Sequence, residues 1–398
     1  MLNESEVREL RLATPGVGHV VHFNHSGASL MPQAVLDAVG AQLRREAEIG
    51  PHEAHVPVMA CIERTRTDAA DLLDAAPADI AFVPSGSTGW GMAFAALPAL
   101  RPGERILVGR QEWGSNLTIM RLAAERAGAS VETIPCRPDG SVDADALDRM
   151  IDARVRLVSL TWLPANGGLV NDAASVGAVA RRHGVPYFVD AGQALGQMPV
   201  SVEAIGCDVL KGAARKFLRA PRGTALLYVR DTMRARMTVP FHNVVSAEWK
   251  AAAPAIRTDA RMFESGEQPV ALLMGLGAAL SLARAIGIAR IRRRIDALAG
   301  EVRARLAAIP GVMLRDLGDG PKSGLVSFDV AGIAADTVRQ RLAAEHGINV
   351  GANGVAYTPL DMTARGLAGI VRASVSYLNT PEEIDRLAVA VGRVAASP

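Results

Sequence analysis

From residue 78 to residue 190, short apolar runs alternate with segments of helical period, and this alternation limits the chain to a small set of folds. The runs are ADIAFVP (78–84), RILVG (105–109), SVETIP (130–135), VRLVSLTW (155–162) and VPYFVD (185–190). Helical segments start at Gly86, Ser115, about 143 and Asp172. Strands separated by helices indicate βαβ units and a mostly parallel sheet. Such strands are covered on both faces, so they are expected as unbroken apolar runs rather than alternating ones. A further apolar run, Thr224 to Val229, extends the same sheet.

Outside that core the pattern changes. Residues 1–15 read as an amphipathic helix or arm, and Val20–Ser29 as a strand end and turn. Pro32 opens a helix to about Glu48, because its missing N–H suits a first helical turn. Gly50–Pro57 is expected as a loop, 230–262 as irregular, and Val270–Ile309 as a long helix, continuous or broken, stopped by Pro310. The runs LVSFDV (325–330), INVGA (348–352) and IVRASVSYL (370–378), with helices from Ala335 and Pro381, form a smaller α+β unit. The expected division is a large unit over 16–258 and a small one over 1–15 and 259–398.

A chain of 398 residues, 49% hydrophobic, can bury a core of that size. A formal net charge of +2 with scattered basic residues gives no sign of nucleic acid or an anionic membrane as partner. The cysteines at 61, 136 and 207 are too few for a disulfide framework, and no pair has metal-ligand spacing. No apolar run reaches 18 residues, and the N-terminus carries acidic residues where a signal peptide is basic. The expectation is a cytoplasmic protein without a metal.

The chemistry concentrates where strands end. Asp190 closes one buried run, and Lys216 follows 26 residues later in a basic turn of small residues. An acid and an amine so placed can face one cleft. Pyridoxal phosphate chemistry needs this arrangement: the amine forms a Schiff base and the carboxylate keeps the pyridine nitrogen protonated. Lys211 is a rival amine, and either lysine alone would ordinarily be a surface residue. Gln193 is a candidate for bonding the cofactor's phenolic oxygen. Pro84-Ser-Gly-Ser-Thr-Gly89 can cup an anion at a helix start, although such a turn by itself is common punctuation.

DAGQALG at 190–196 and RKFLRAPRGTALLYV at 215–229 resemble the cofactor region of the class V, cysteine desulfurase-like aminotransferase-fold enzymes. The likeness is greatest to the branch of isopenicillin N epimerase-like proteins and ergothioneine C–S lyases. It runs from FNHSGAS (23–29) to SYLNTPEEIDR (376–386). The resemblance implies fold type I, a pyridoxal phosphate-dependent α/β enzyme, a homodimer and an amino acid substrate. It assigns the cofactor to Lys216, makes Ser87 and Thr88 phosphate ligands, and puts Trp113 over the pyridine face. Arg215 stands where many relatives have histidine and keeps a cation for the phosphate. Arg372 matches the arginine that binds a substrate carboxylate. The family's asparagine for the phenolic oxygen falls at Ala165, so Asn166, one residue off, is the candidate for that bond or for a substrate contact. His25, with Asn24, is expected to line the cleft. In Ala260–Glu267 the glutamate replaces the usual threonine after glycine, which weakens the expected contact to a second subunit's cofactor.

Three reactions fit this frame. A cysteine desulfurase calls for a nucleophilic cysteine in the small unit, and no cysteine follows Cys207, so that reading is set aside. A C–S β-lyase releasing pyruvate and ammonia needs only the cofactor, a base and a leaving group at Cβ, and is preferred. Aminotransferase or epimerase is the alternative. A non-catalytic nucleotide-binding protein would leave the Lys216–Asp190 pair unexplained.

Overall fold

The computed structural model describes residues 2–397; residues 1 and 398 of the expected small unit lie outside it. Seven strands form one sheet in the order Ile80–Val83, Ala225–Val229, Val209–Ala213, Tyr187–Asp190, Val155–Thr161, Arg105–Val108 and Ser130–Thr133. The five strands from Val209–Ala213 to Ser130–Thr133 are parallel, and Ala225–Val229 runs antiparallel to both its neighbours. This is the α/β architecture that the alternation predicts, and that the resemblance implies as fold type I; the apolar runs explain its sheet. Tyr187 and Val189 pack into one core, while Phe188 between them packs into the core on the opposite face. Leu210 and Val209 divide in the same way. Alternate residues of a strand point to opposite faces, so a strand covered on both sides must be apolar throughout. The edge strand Ser130–Thr133 has a neighbour on one side alone, and its SVET sequence is half-exposed.

A second sheet of five strands has the order Val21–Phe23, Ile348–Gly354, Gly369–Ser374, Leu325–Val330 and Val312–Leu314. Val21–Phe23 was expected within the large unit over 16–258; it pairs in parallel with Ile348–Val350 instead. Its alternate side chains Val21 and Phe23 are buried in the small unit's core, which is why it goes there. Val270–Ile286, expected with the small unit, packs against Gln33–Ile49 and Met59–Leu73 on the large unit.

Three local expectations are resolved or changed. The long helix expected over Val270–Ile309 takes its broken form, as two helices, Val270–Ile286 and Ile288–Ala307, bent by 78°. The break is Gly287, whose φ of 88° is open to glycine and strained for other residues. Gly50–Pro57 is not a loop but a helical turn, Pro51–His55, followed by a tighter one. The irregular segment 230–262 holds a hairpin, Ala247–Lys250 with Ala253–Ile256. Among the described residues, no single helix is long and apolar enough to cross a bilayer.

Candidate active site

The carboxyl ends of the parallel strands and the start of helix Gly86–Ala95 enclose a cavity of about 250 Å3. Such crevices at strand ends are where open α/β sheets hold ligands. Ser85 caps the helix: its Oγ accepts from Thr88 N at 3.0 Å and bonds Thr88 Oγ1 at 2.8 Å. Gly86 and Ser87 line the cavity, and the free N–H groups of the first turn suit an anion. Thr88 is turned back onto Ser85 and is not among the lining residues.

Asp190 lies at the floor, 4% exposed. Its Oδ1 accepts from Gly192 N at 2.9 Å, and its Oδ2 accepts from Asn116 Nδ2 at 3.1 Å. Lys211 Nζ stands 2.7 Å from the same Oδ2. A Cβ on Gly192 would fall 2.9 Å from Asp190 Oδ1 and 3.7 Å from both Lys211 Nζ and Lys216 Nζ. Two amines and one carboxylate therefore converge on a point that only a glycine leaves open. Burial first, then the charge of Lys211, hold the Lys216 amine well below its ordinary pKa, so it tends to be neutral and nucleophilic.

Trp113 caps the cavity from the side, with Lys216 Nζ 5.8 Å from the ring centroid. Gln193 and Arg215 complete the wall. Burial and the neighbouring Arg222 lower the pKa of Arg215. Gln193 donates from Nε2 to Ser26 O at 3.2 Å, while its Oε1 and the indole Nε1 of Trp113 have no partner. Buried polar atoms are costly when unpaired, so these two mark places where a polar ligand is expected. A ring with a nitrogen for Asp190, an aldehyde for Lys216 and a phosphate for the Ser87 turn and Arg215 matches this donor set. The residues present fit pyridoxal phosphate.

Beyond the cavity mouth, Arg372 lies on Gly369–Ser374 in register with Gly351. Its Nη1 donates to the carbonyl of Ala165, a lining residue, at 2.7 Å, and its Nε has no partner. Burial brings its pKa down to about 10. Gly351 makes the room: a Cβ there would approach Arg372 Nη2 to 3.0 Å.

Two expected substrate residues are placed elsewhere. His25 is 1% exposed and lies outside the lining; its ring nitrogens bond Ser29 Oγ at 2.9 Å and His22 O at 3.0 Å. Its imidazole, held well below its usual pKa by burial, is a satisfied core group. Its neighbour Asn24 is the one beside Arg372, since a Cβ on Gly351 would sit 2.9 Å from Asn24 Oδ1. Asn166 donates to Thr358 Oγ1 at 2.6 Å and accepts from Asn353 Nδ2 at 2.7 Å. Both ends of its amide are taken up in tying the large unit to the small one.

The structure adds Glu112, which sequence reasoning passed over. It is fully buried and accepts from Asn116, Thr161 and Ser159 at 2.8–2.9 Å. Burial and then the charge of Asp190 raise its pKa. Asn116 joins the two carboxylates. The i,i+4 spacing of Glu112 and Asn116 across a helix start was the available signal.

Comparison with known proteins agrees with this geometry. Residues 21–387 match the family Aminotransferase class-V. A probable cysteine desulfurase of Xylella fastidiosa is 31% identical over 389 residues, which cover 94% of this chain and 91% of the relative. A cysteine desulfurase of Klebsiella pneumoniae is 28% identical, covering 94% and 93%. Among solved structures, the cysteine desulfurase CsdA of Escherichia coli superposes with a TM-score of 0.89 at 25% identity, covering 100% and 99%. That of Thermococcus onnurineus gives 0.91 at 23%, covering 98% of each chain.

Proposed function

The chain belongs to the aminotransferase class-V family, whose members depend on pyridoxal phosphate, and from that premise we propose that it works as a cysteine desulfurase. In this reading cysteine and an acceptor thiol give alanine and a persulfide; the Cβ–S bond breaks, a proton fills the vacated position on Cβ, and the sulfur forms an S–S bond. The expectation of a C–S β-lyase, with aminotransferase or epimerase as alternative, is corrected. Relatives matched over nearly their whole length bear the name cysteine desulfurase, and the lack of a cysteine after Cys207 does not outweigh that, because an acceptor thiol need not belong to this chain. Branch membership beside the isopenicillin N epimerase-like proteins is a proposal carried by the stretches 190–196 and 215–229, a likeness of sequence and not of reaction.

The observation that carries the amino acid substrate is Arg372. It is buried, half-used in hydrogen bonding, and makes no ion pair among the described residues. A desolvated guanidinium costs free energy unless an anion meets it, and a carboxylate matches its fork.

Pyridoxal phosphate held here supplies an electron sink that makes the substrate Cα–H acidic and stabilises charge as sulfur leaves. Lys216 holds the group and, as a neutral amine, can take the proton from Cα and deliver one to Cβ. Asp190 would face the ring nitrogen and favour a proton there. Trp113 shields one face from water, and Arg372 fixes the carboxylate so that the reacting bonds are aligned. Cys61, Cys136 and Cys207 all lie outside the cavity lining. Burial raises the pKa of Cys136 and Cys207, which makes them poor thiolates. The acceptor in this reading is therefore a small thiol or a cysteine of another molecule.

The test is L-cysteine with dithiothreitol. Alanine and sulfide are expected in equal amounts, and Lys216→Ala should lower turnover by about 10⁴-fold or more and remove the visible absorbance of the bound cofactor. Pyruvate and ammonia in place of alanine would overturn the reading. We also propose a cytoplasmic homodimer. Free cysteines suit a reducing compartment, and exposed Phe241, Val244, Trp249 and Ile256 on one segment suit a second copy of the chain.

A further inference from the structure

A second buried lysine faces the cavity and has no task in the mechanism above. Lys211 is the third residue of Val209–Ala213 and is 5% exposed. Strand register sets it directly beside Asp190, just as it sets Thr161 beside Asp190 on the other flank. In-register residues of adjacent strands share a face of the sheet, so the amine and the carboxylate meet without any loop to arrange them. Their separation is 2.7 Å. Lys211 Nζ is 5.9 Å from the Trp113 ring centroid, against 5.8 Å for Lys216. Gly86 also makes way for it, since a Cβ there would lie 2.8 Å from Lys211 Cδ. An ammonium in an apolar strand is costly, yet this one is accommodated from three sides, beside the carboxylate that would meet the cofactor's ring nitrogen.

We propose that Lys211 is a second functional lysine of this site, a positioning residue that holds Asp190 from the sheet side, so that the ring nitrogen of bound cofactor shares its counterion instead of having it alone. The inference rests on Lys216 as the cofactor lysine.

The charges that act on Lys216 can be followed one by one. Lys211 and Asp190 oppose each other at the floor, and Glu112 lies behind Asp190 with its carboxyl biased towards the neutral form. Arg215 adjoins Lys216 on its own turn, and Arg372 faces it from the small sheet. A positive neighbour disfavours a second ammonium. Lys211 therefore keeps the Lys216 amine neutral to lower pH, and it offsets the pull of Asp190. Replacing Lys211 by an uncharged residue removes a cation and leaves the Asp190 charge uncompensated. Both changes raise the pH at which Lys216 loses its proton.

The experiment follows pyridoxal phosphate capture by the apoprotein as a function of pH, and then the pH midpoint of the visible band in the loaded protein. Lys211→Met and Lys211→Gln should move both midpoints upward by about one unit or more, while Lys211→Arg should stay near the parent. Midpoints unchanged in folded Lys211→Met overturn the inference while leaving Lys216 in its role. A visible band that survives in Lys216→Ala and vanishes in the double variant overturns the assignment of Lys216 itself. If the uncharged variants do not fold, the ¹⁵N shift of labelled cofactor in the unaltered protein decides. An intermediate value between pyridine and pyridinium is expected, and a full pyridinium value overturns the proposal.

Discussion

Two buried ion pairs with the same 2.7 Å separation lie in this molecule, Arg66–Glu264 and Lys211–Asp190. Their surroundings differ. Every oxygen of Glu264 is satisfied: Oε1 accepts from Arg66 and from Phe82 N at 2.7–2.8 Å, and Oε2 from Arg66 and Gln268 at 3.3 and 2.7 Å. The guanidinium of Arg66 also donates to Ile80 O and lies 4.5 Å from the Phe82 ring centroid. That pair fastens Met59–Leu73 to the edge strand Ile80–Val83. Around Lys211–Asp190, by contrast, Asn116 Oδ1, Gln193 Oε1 and Trp113 Nε1 are left without partners. A carboxylate engaged at both oxygens serves the fold, with Arg66 Nε the one atom of that pair lacking a hydrogen bond; a carboxylate amid several unmet polar atoms is set for a ligand.

Variants on the two sides can break or sharpen this contrast. The largest effect is expected from Glu264→Ala, which strands a buried guanidinium and should cost about 3–5 kcal/mol of stability by denaturant titration. The visible band per folded molecule should be unchanged; a lost band with full stability would erase the distinction. Arg372→Ala comes next, removing a charged hydrogen bond to substrate, and should raise KM for cysteine by about 10–100-fold, or roughly 1.5–3 kcal/mol. Stability should hold or rise, because a buried, unpaired cation is deleted. Smallest is Trp113→Ala. Losing a stacked ring is worth about 0.5–1.5 kcal/mol, so cofactor affinity measured by fluorescence titration should fall by about tenfold or less.

The site was legible where local pattern settles position. Asp190, Trp113 and the Ser87 turn each follow an apolar run, and a run that ends in a polar residue delivers it to the rim of a parallel sheet. His25 and Asn166 were misplaced for the converse reason. Asn166 is claimed by Asn353 and Thr358, 187 and 192 residues away, and His25 is closed off by its own turn through Ser29 and His22. Val21–Phe23 is too short to show which sheet it joins until Ile348–Val350 is beside it.

By itself, the sequence determined the alternation of strand and helix, the fully apolar strands and the residue types of the site, because burial on two faces and turn chemistry act over a few neighbouring residues. Only the tertiary structure decided that Lys211 belongs to Asp190. Register between strands is set by the packing of both faces of the sheet at once, and no local pattern in VLKGA says which residue of VPYFVD will lie alongside.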